Sequence, residues 1–431
     1  MAENDGHTPS TPPSGTTTTA PGPLGGPYWR LWTSSGLSNL ADGALKAALP
    51  LVALRLTDSP LLIAGVATAL SLPWLLFALP SGVLADRLDR RVAMVGANVV
   101  RAALLVLLVL SLSLGFGSIW LLYAFAFAIG VTETLYDTSA QSILPQIVPR
   151  SSLSRANGRL YAAELTGQEF IGPPLGSALV AVGVALAFVT PAALWAAAVG
   201  MLLLVKGRFR VKRTGPATTM RTEIAEGVRF LWGNRLLRRF ALMVGASNFA
   251  TQAAFAVFVL YAVGPGSHLG LHEAAFGLLL ISTAVGSLIG SFLVEWAERW
   301  CGRTWALRVS VVGFALLLGV PGLSTNLWVV TAGLCAGGVA IMVWNVIVVS
   351  LRQRLTPDHL LGRVNSVFRL LAWGTMPLGA ATGGVLASLM GLRPMYLLLG
   401  GSMLLLLLPL IRLSDARFDA AEAEALAREA R

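Results

Sequence analysis

Apolar residues along the chain gather into twelve long runs separated by short polar stretches. The runs lie near residues 33–55, 60–84, 93–114, 118–140, 158–181 and 184–206, then near 240–262, 276–297, 305–323, 327–350, 367–390 and 394–412. At about 1.5 Å of rise per residue, a run of this length crosses the ~30 Å hydrocarbon core of a bilayer as one α-helix. A helix satisfies its own backbone hydrogen bonds, which lipid cannot do for it. The pattern therefore predicts an all-α membrane protein with twelve transmembrane helices, six in each half.

Polar segments set the remaining boundaries. Residues 1–27 are rich in Ser, Thr, Pro and Gly and carry almost no apolar surface, which predicts a disordered N-terminal tail. They lack the basic-then-apolar pattern of a cleaved signal peptide. Residues 28–206 read as the first six-helix half, 207–238 as a cytoplasmic linker, 239–413 as the second half and 414–431 as a cytoplasmic C-terminal tail. Within the linker, Glu223–Trp232 has the spacing of an amphipathic helix, with Phe230 and Trp232 reaching the headgroup region.

The two halves echo one another. Tyr136-Asp137, Ser142, Pro149, Leu153, Arg155 and Asn157 return 208 residues later as Trp344-Asn345, Ser350, Pro357, Leu361, Arg363 and Asn365. Gly82, Gly130 and Gly176 return as Gly290, Gly338 and Gly384 at the same offset. Ser38-Asn39-Leu40-Ala41 returns as Ser247-Asn248-Phe249-Ala250 at an offset of 209. An even number of spans per copy inserts both copies in one orientation, the parallel-repeat arrangement whose substrate path lies between the halves.

Composition fits the membrane reading: 55% of residues are hydrophobic and only 12% charged, against about 25% charged in a soluble domain. The net charge of +11 would suit a nucleic-acid ligand, but its placement reports topology instead. Arginines crowd the loops after spans two, four, six and ten, whereas the alternate loops hold little beyond Arg55 and Arg393. By the positive-inside rule both termini and the linker face the cytoplasm of a bacterial inner membrane. Cys301 and Cys335 form no disulfide framework, and His7, His268, His272 and His359 form no metal constellation. No phosphate-binding Gly-x-x-x-x-Gly-Lys-Ser/Thr run is present, so an enzyme driven by nucleotide hydrolysis is not expected, nor is any cofactor.

Ionisable residues inside the spans are the sharpest chemical signal, because a charge in lipid must face a cavity or a partner. Span one carries Asp42 and Lys46 on one face, a spacing that permits a mutual ion pair. Span four carries Glu133 and Asp137, span five Glu164 and Glu169, and span three Arg101. All five carboxylates belong to the first half, where a carboxylate of alternating accessibility would carry protons. At the repeat offset their counterparts are Thr251, Ile341, Asn345, Ala372 and Pro377. Trp74, Phe125, Phe127, Tyr161, Phe170, Trp344 and Trp373 are candidate cavity aromatics.

Gly82-Val83-Leu84-Ala85-Asp86-Arg87-Leu88-Asp89-Arg90-Arg91, between spans two and three, resembles the loop signature of the major facilitator superfamily. Asp89 stands where that family usually has Gly. Leu144-Pro145, Val148-Pro149, Ala156-Asn157-Gly158, Glu226-Gly227-Val228-Arg229-Phe230 and Gly362-Arg363-Val364 resemble its drug:proton antiporter branch, which holds macrolide-efflux and enterobactin-exporter type proteins. Asn39 and Asp42 in span one fit the same branch. Gly172-Pro173-Pro174-Leu175-Gly176 resembles the antiporter glycine-proline signature, with Gln168 at an upstream position where a glycine is expected. Two prolines remove two backbone donors, so the helix must bend or loosen there.

The resemblance implies that Gly82, Asp86, Arg87, Arg90 and Arg91 form a cytoplasmic gating loop. It implies a monomeric secondary transporter that exports small amphipathic molecules in exchange for protons. The basic residue that many such antiporters carry in span four is missing from Gly130–Ser142. A siderophore or metabolite exporter, a lysophospholipid transporter and a non-transporting membrane sensor are the alternatives.

Overall fold

The computed structural model describes residues 24–149, 152–207, 209, 220–264, 266–411 and 413–429. The expected disorder of residues 1–23 falls outside these. Gly26 and Pro27, placed in the tail by composition, already belong to the first helix, α1 (Gly26–Leu56). Proline suits a first helical turn because the amide it lacks would have had no partner there.

The first half continues with α2 (Pro60–Arg87), α3 (Arg90–Ser113), α4 (Ile119–Ile147) and α5 (Leu153–Leu165). A six-residue π turn, Thr166–Ile171, leads into α6 (Gly172–Val182), and α7 (Val184–Leu203) follows. The linker holds α8 (Met220–Gly233). The second half comprises α9 (Arg235–Phe255), α10 (Phe258–Ala262), α11 (Glu273–Cys301), α12 (Arg303–Leu323), α13 (Leu327–Leu355), α14 (Asp358–Gly374), α15 (Met376–Met390), α16 (Leu392–Leu404) and α17 (Leu407–Ile411). The chain closes with α18 (Asp415–Glu429). Among the described residues the β-structure amounts to one isolated bridge, between Val263 and Leu271.

Ten helical segments of the described chain are long and apolar enough to cross a membrane. The other two expected spans, 158–181 and 240–262, follow interrupted helices. One is broken by the π turn and the other between α9 and α10.

The packing map repeats. In the first half α1 packs on α6 and α7, α2 on α4, and α3 on α4 and α7. In the second, α9 packs on α15 and α16, α11 on α13, and α12 on α13 and α16. The halves meet through α2 against α15 and α6 against α11, a pair of contacts related by the same exchange. This is the packing expected of two parallel repeats.

The copies match to the level of single contacts. A Cβ added to Gly176 would lie 2.0 Å from the Ala44 carbonyl oxygen, and one added to Gly383 would lie 2.0 Å from that of Ala253. Only a hydrogen fits between backbones that close. The equivalent of Gly176 is therefore Gly383, an offset of 207, and not the Gly384 that a constant offset of 208 selects. Buried positions agree: Gly172, Pro173, Gly176, Ser177 and Val180 in α6 correspond to Gly379, Ala380, Gly383, Gly384 and Ala387 in α15. Upstream, buried Ala156 and Val364 still keep 208. The one-residue change falls across the π turn, whose wider i→i+5 bonding accommodates one extra residue.

The C-terminal segment is a docked helix. Asp415 accepts hydrogen bonds from the Thr304 backbone amide and hydroxyl, both at 2.8 Å. Phe418 is buried against Phe240, and Arg303 pairs with Asp419 and Glu422. The linker helix α8 lies on α14 through the Arg363–Glu226 ion pair and buries Leu231, while Trp232 stays exposed.

Candidate functional site

The intramembrane charges of the first half converge near the middle of α1, α3 and α4 and at the end of α5. Arg101 of α3 is the centre, with its side chain 0% exposed. Its Nη1 lies 3.5 Å from Asp42 Oδ1 and 3.5 Å from Asn98 Oδ1, and its Nε donates to Thr132 Oγ1 at 3.3 Å. The guanidinium carbon sits 5.2 Å from the Tyr136 ring and 5.3 Å from that of Trp195. Two aromatic faces and several oxygens thus replace the water that a buried cation loses.

Around this arginine the acids outnumber the cations. Glu133 lies within electrostatic reach of Asp42, Arg101, Asp137 and Lys46. Asp137 lies within reach of Arg101, Asp42 and Glu164. From the second half, Arg369 of α14 reaches Asp137 and stacks over Trp373 at 4.4 Å. A cluster with surplus carboxylate in a poorly solvated setting is neutralised by protons or by a cationic ligand.

The Asp42 and Lys46 spacing on α1 does not become an ion pair. Asp42 turns to Arg101, and Lys46 binds Glu169 at 2.6 Å. The π turn explains the second pairing. Pro173 and Pro174 cannot donate to carbonyls one turn back, and the Gly172 amide bonds to the Gly167 carbonyl, five residues earlier. The widened turn faces Gln168 and Glu169 toward α1. There Gln168 donates to Asn39 Oδ1 at 2.9 Å and Glu169 meets Lys46. The loosening that the proline pair requires therefore sits just before the prolines, and it carries site residues.

The loop resembling a gate is partly visible. The backbones of Gly82, Asp86 and Arg87 belong to α2, but their side chains lie outside the described residues. Arg90 donates to the Ser142 carbonyl of α4 and Arg91 to the Leu203 carbonyl of α7 at 3.2 Å, so both bind within the first half. Asp89 has φ −68°, which needs no glycine. Its side chain accepts from the Arg91 and Val92 amides, capping α3, and from the Phe209 amide at 2.8 Å.

The contact between halves gathers at the end opposite the arginine-rich loops. Arg55 at the end of α1 pairs with Glu273 at the start of α11 at 2.7 Å and donates to the Val180 carbonyl at 3.0 Å. A Cβ on Gly277 would meet the Pro173 carbonyl oxygen at 2.3 Å, and one on Gly384 would meet the Ala64 Cβ at 2.7 Å. Nearer the centre, Trp74 and Trp373 pack edge to face at 4.5 Å across the halves. By contrast Trp344 is buried between Phe240 and Phe314 and serves packing.

Two contributors to this geometry lie outside the residues that the sequence singled out. Arg369 was readable as a cation within the apolar stretch Val367–Leu371. The Arg55–Glu273 pair had no local signal, since its members stand 218 residues apart.

A family model described as "Transmembrane secretion effector" matches residues 18–431. Macrolide efflux protein A of Streptococcus pyogenes is 22% identical over 392 residues, covering 86% of this chain and 92% of that protein. Multidrug efflux pump Tap of Mycolicibacterium fortuitum is 26% identical over 398 residues, covering 88% and 94%. Among solved structures, the nucleoside transporter NupG superposes with a TM-score of 0.72 at 12% identity, covering 90% of this chain and all of that one.

Proposed function

The chain belongs to the transmembrane secretion effector family of major facilitator transporters, and from that premise we propose that it exports small amphipathic, drug-like molecules by proton antiport. It is a multi-pass membrane transporter and not an enzyme. In this reading it sits as a monomer in a bacterial inner membrane with both termini cytoplasmic. Its parts are a tail (1–25), two six-helix halves (26–206 and 239–413), a linker (207–238) and a C-terminal segment (414–431).

The observation that carries the proposal is the Arg101 cluster: one fully buried guanidinium 3.5 Å from Asp42, with Glu133 and Asp137 in electrostatic reach. Protons and a cationic or polarised substrate would compete for the surplus carboxylates, which is what exchange requires. Alternating access would open and close the halves about the cluster. The Arg55–Glu273 contact and the glycine contacts near it support closure at the outer end. Arg369, coming from the second half, would let the charge of Asp137 bias the relative position of the halves.

Transport in inverted vesicles under an imposed pH gradient tests this. Asp42→Asn and Glu133→Gln should each impair gradient-driven uptake while insertion stays normal. Unchanged transport in both would refute the site assignment, and wild-type transport indifferent to the gradient would refute the coupling. Comparing resistance and exported metabolites of a deletion strain with its parent separates drug export from the siderophore, lysophospholipid and sensor readings.

A further inference from the structure

A groove of about 560 Å³ runs between α1 and α5 on the flank facing away from the acidic cluster. Its second wall is Arg159, Ala162 and Ala163 of α5, continued by Thr166 of the π turn. Tyr161 and Glu164 stand about 150° round the helix from the middle of this wall, and Glu164 is on the cluster side, within reach of Asp42. The groove therefore opens to lipid. Its α1 wall runs from Trp29 through Trp32 and Gly36 to Leu40. The eleven residue steps from Trp29 to Leu40 rise about 16 Å, close to the ~15 Å depth of one leaflet's hydrocarbon.

The chemistry changes along this length. The deep part is lined by Gly36, Leu40, Ala162, Ala163 and Ile171. At the shallow, arginine-rich end, the Arg159 guanidinium lies over the Trp29 ring at 5.4 Å, and the Trp32 indole nitrogen donates to the Arg159 carbonyl at 3.0 Å. Arg159 has no carboxylate partner among the described residues. An uncompensated cation at headgroup depth, framed by interfacial tryptophans above an apolar channel one leaflet deep, matches a phospholipid with a net negative headgroup. We propose that this groove binds one anionic phospholipid of the leaflet at the arginine-rich end, with its phosphate on Arg159 and an acyl chain along Gly36 and Leu40.

The full-length protein, purified with equimolar phosphatidylglycerol and phosphatidylcholine of matched acyl chains, can be weighed intact by native mass spectrometry. The wild type should retain phosphatidylglycerol preferentially. Arg159→Gln should lower that preference about fivefold, the worth of one cation near the membrane surface, and Arg159→Lys should keep most of it. Gly36→Leu should lower retention of both lipids by filling the channel. A Cβ there meets no atom within 4 Å, so the backbone at this position leaves room for a side chain. Equal wild-type retention of the two lipids, or a preference unchanged in Arg159→Gln, would overturn the proposal. Because the readout is lipid retention, it stands or falls separately from proton-coupled export.

Discussion

Replacing Arg101 by Met should reverse the sign of what Asp42→Asn does to stability. Unit charges 3.5 Å apart attract by about 5 kcal/mol at an effective dielectric near 20. Part of that is offset by the desolvation of both groups. Removing the cation leaves Asp42, Glu133 and Asp137 facing one another without compensation, and loss of one partner of a buried pair costs about 3–5 kcal/mol. Stacking on Tyr136 and Trp195 is lost as well, for up to about 2 kcal/mol. Asp42→Asn alone should cost less, about 1–2 kcal/mol, because Glu133 and Asp137 still compensate the guanidinium. In the Arg101→Met background the same change removes a surplus negative charge and should stabilise by about 1 kcal/mol. Equilibrium unfolding of the wild type, both single variants and the double variant by SDS titration in mixed micelles gives the four free energies. Additivity within about 0.5 kcal/mol would mean that the two groups do not interact. The cluster would then lose its centre, and with it the charge-balance argument for proton exchange.

Asp89→Ala, which removes the carboxylate that caps α3, should destabilise the protein by about 1 kcal/mol. An unchanged melting temperature would count against the cap. Gly176→Val and Gly383→Val should prevent stable insertion to a similar degree, since each would drive a Cβ to 2.0 Å from a carbonyl oxygen. Size-exclusion profiles of fluorescent fusions read this, and normal folding of either variant refutes the close approach. Arg55→Glu should expose single cysteines near the α11 start to a membrane-impermeant thiol reagent, and Glu273→Arg added to it should restore protection. Failure of the charge swap to protect would detach the pair from closure.

Much of the architecture was legible because a bilayer forces each span to be a long apolar run. Ten spans follow directly from that constraint. Of the other two, the structure divides 158–181 at the π turn before the prolines and 240–262 between α9 and α10, as it also divides the spans formed by α14 with α15 and α16 with α17. The first-half carboxylates were legible for the same reason, since charges inside apolar runs stand out. Their partners were not. Lys46 could serve Asp42 one turn away or Glu169 across the bundle, and helical spacing alone does not choose between a local and a tertiary contact. The choice depended on the π turn, which follows from where amide donors fail and not from any apolar periodicity. Asp89 makes the complementary point: a departure from a family's glycine became a cap, because its backbone never needed positive φ.

The π turn also bears on how the two copies can differ. From Arg155 to Gly176 the first half uses one residue more than the second uses from Arg363 to Gly383. Gln168 and Glu169, which engage Asn39 and Lys46, lie in the stretch where that difference falls. Point substitution alone therefore cannot convert the second half into the first, because the two stretches differ in length as well as in sequence. An insertion or deletion separated the acid-bearing copy from its twin. A designed chain that grafts these contacts into the second half must lengthen it by a residue, or Gly383 will lose its seat on Ala253.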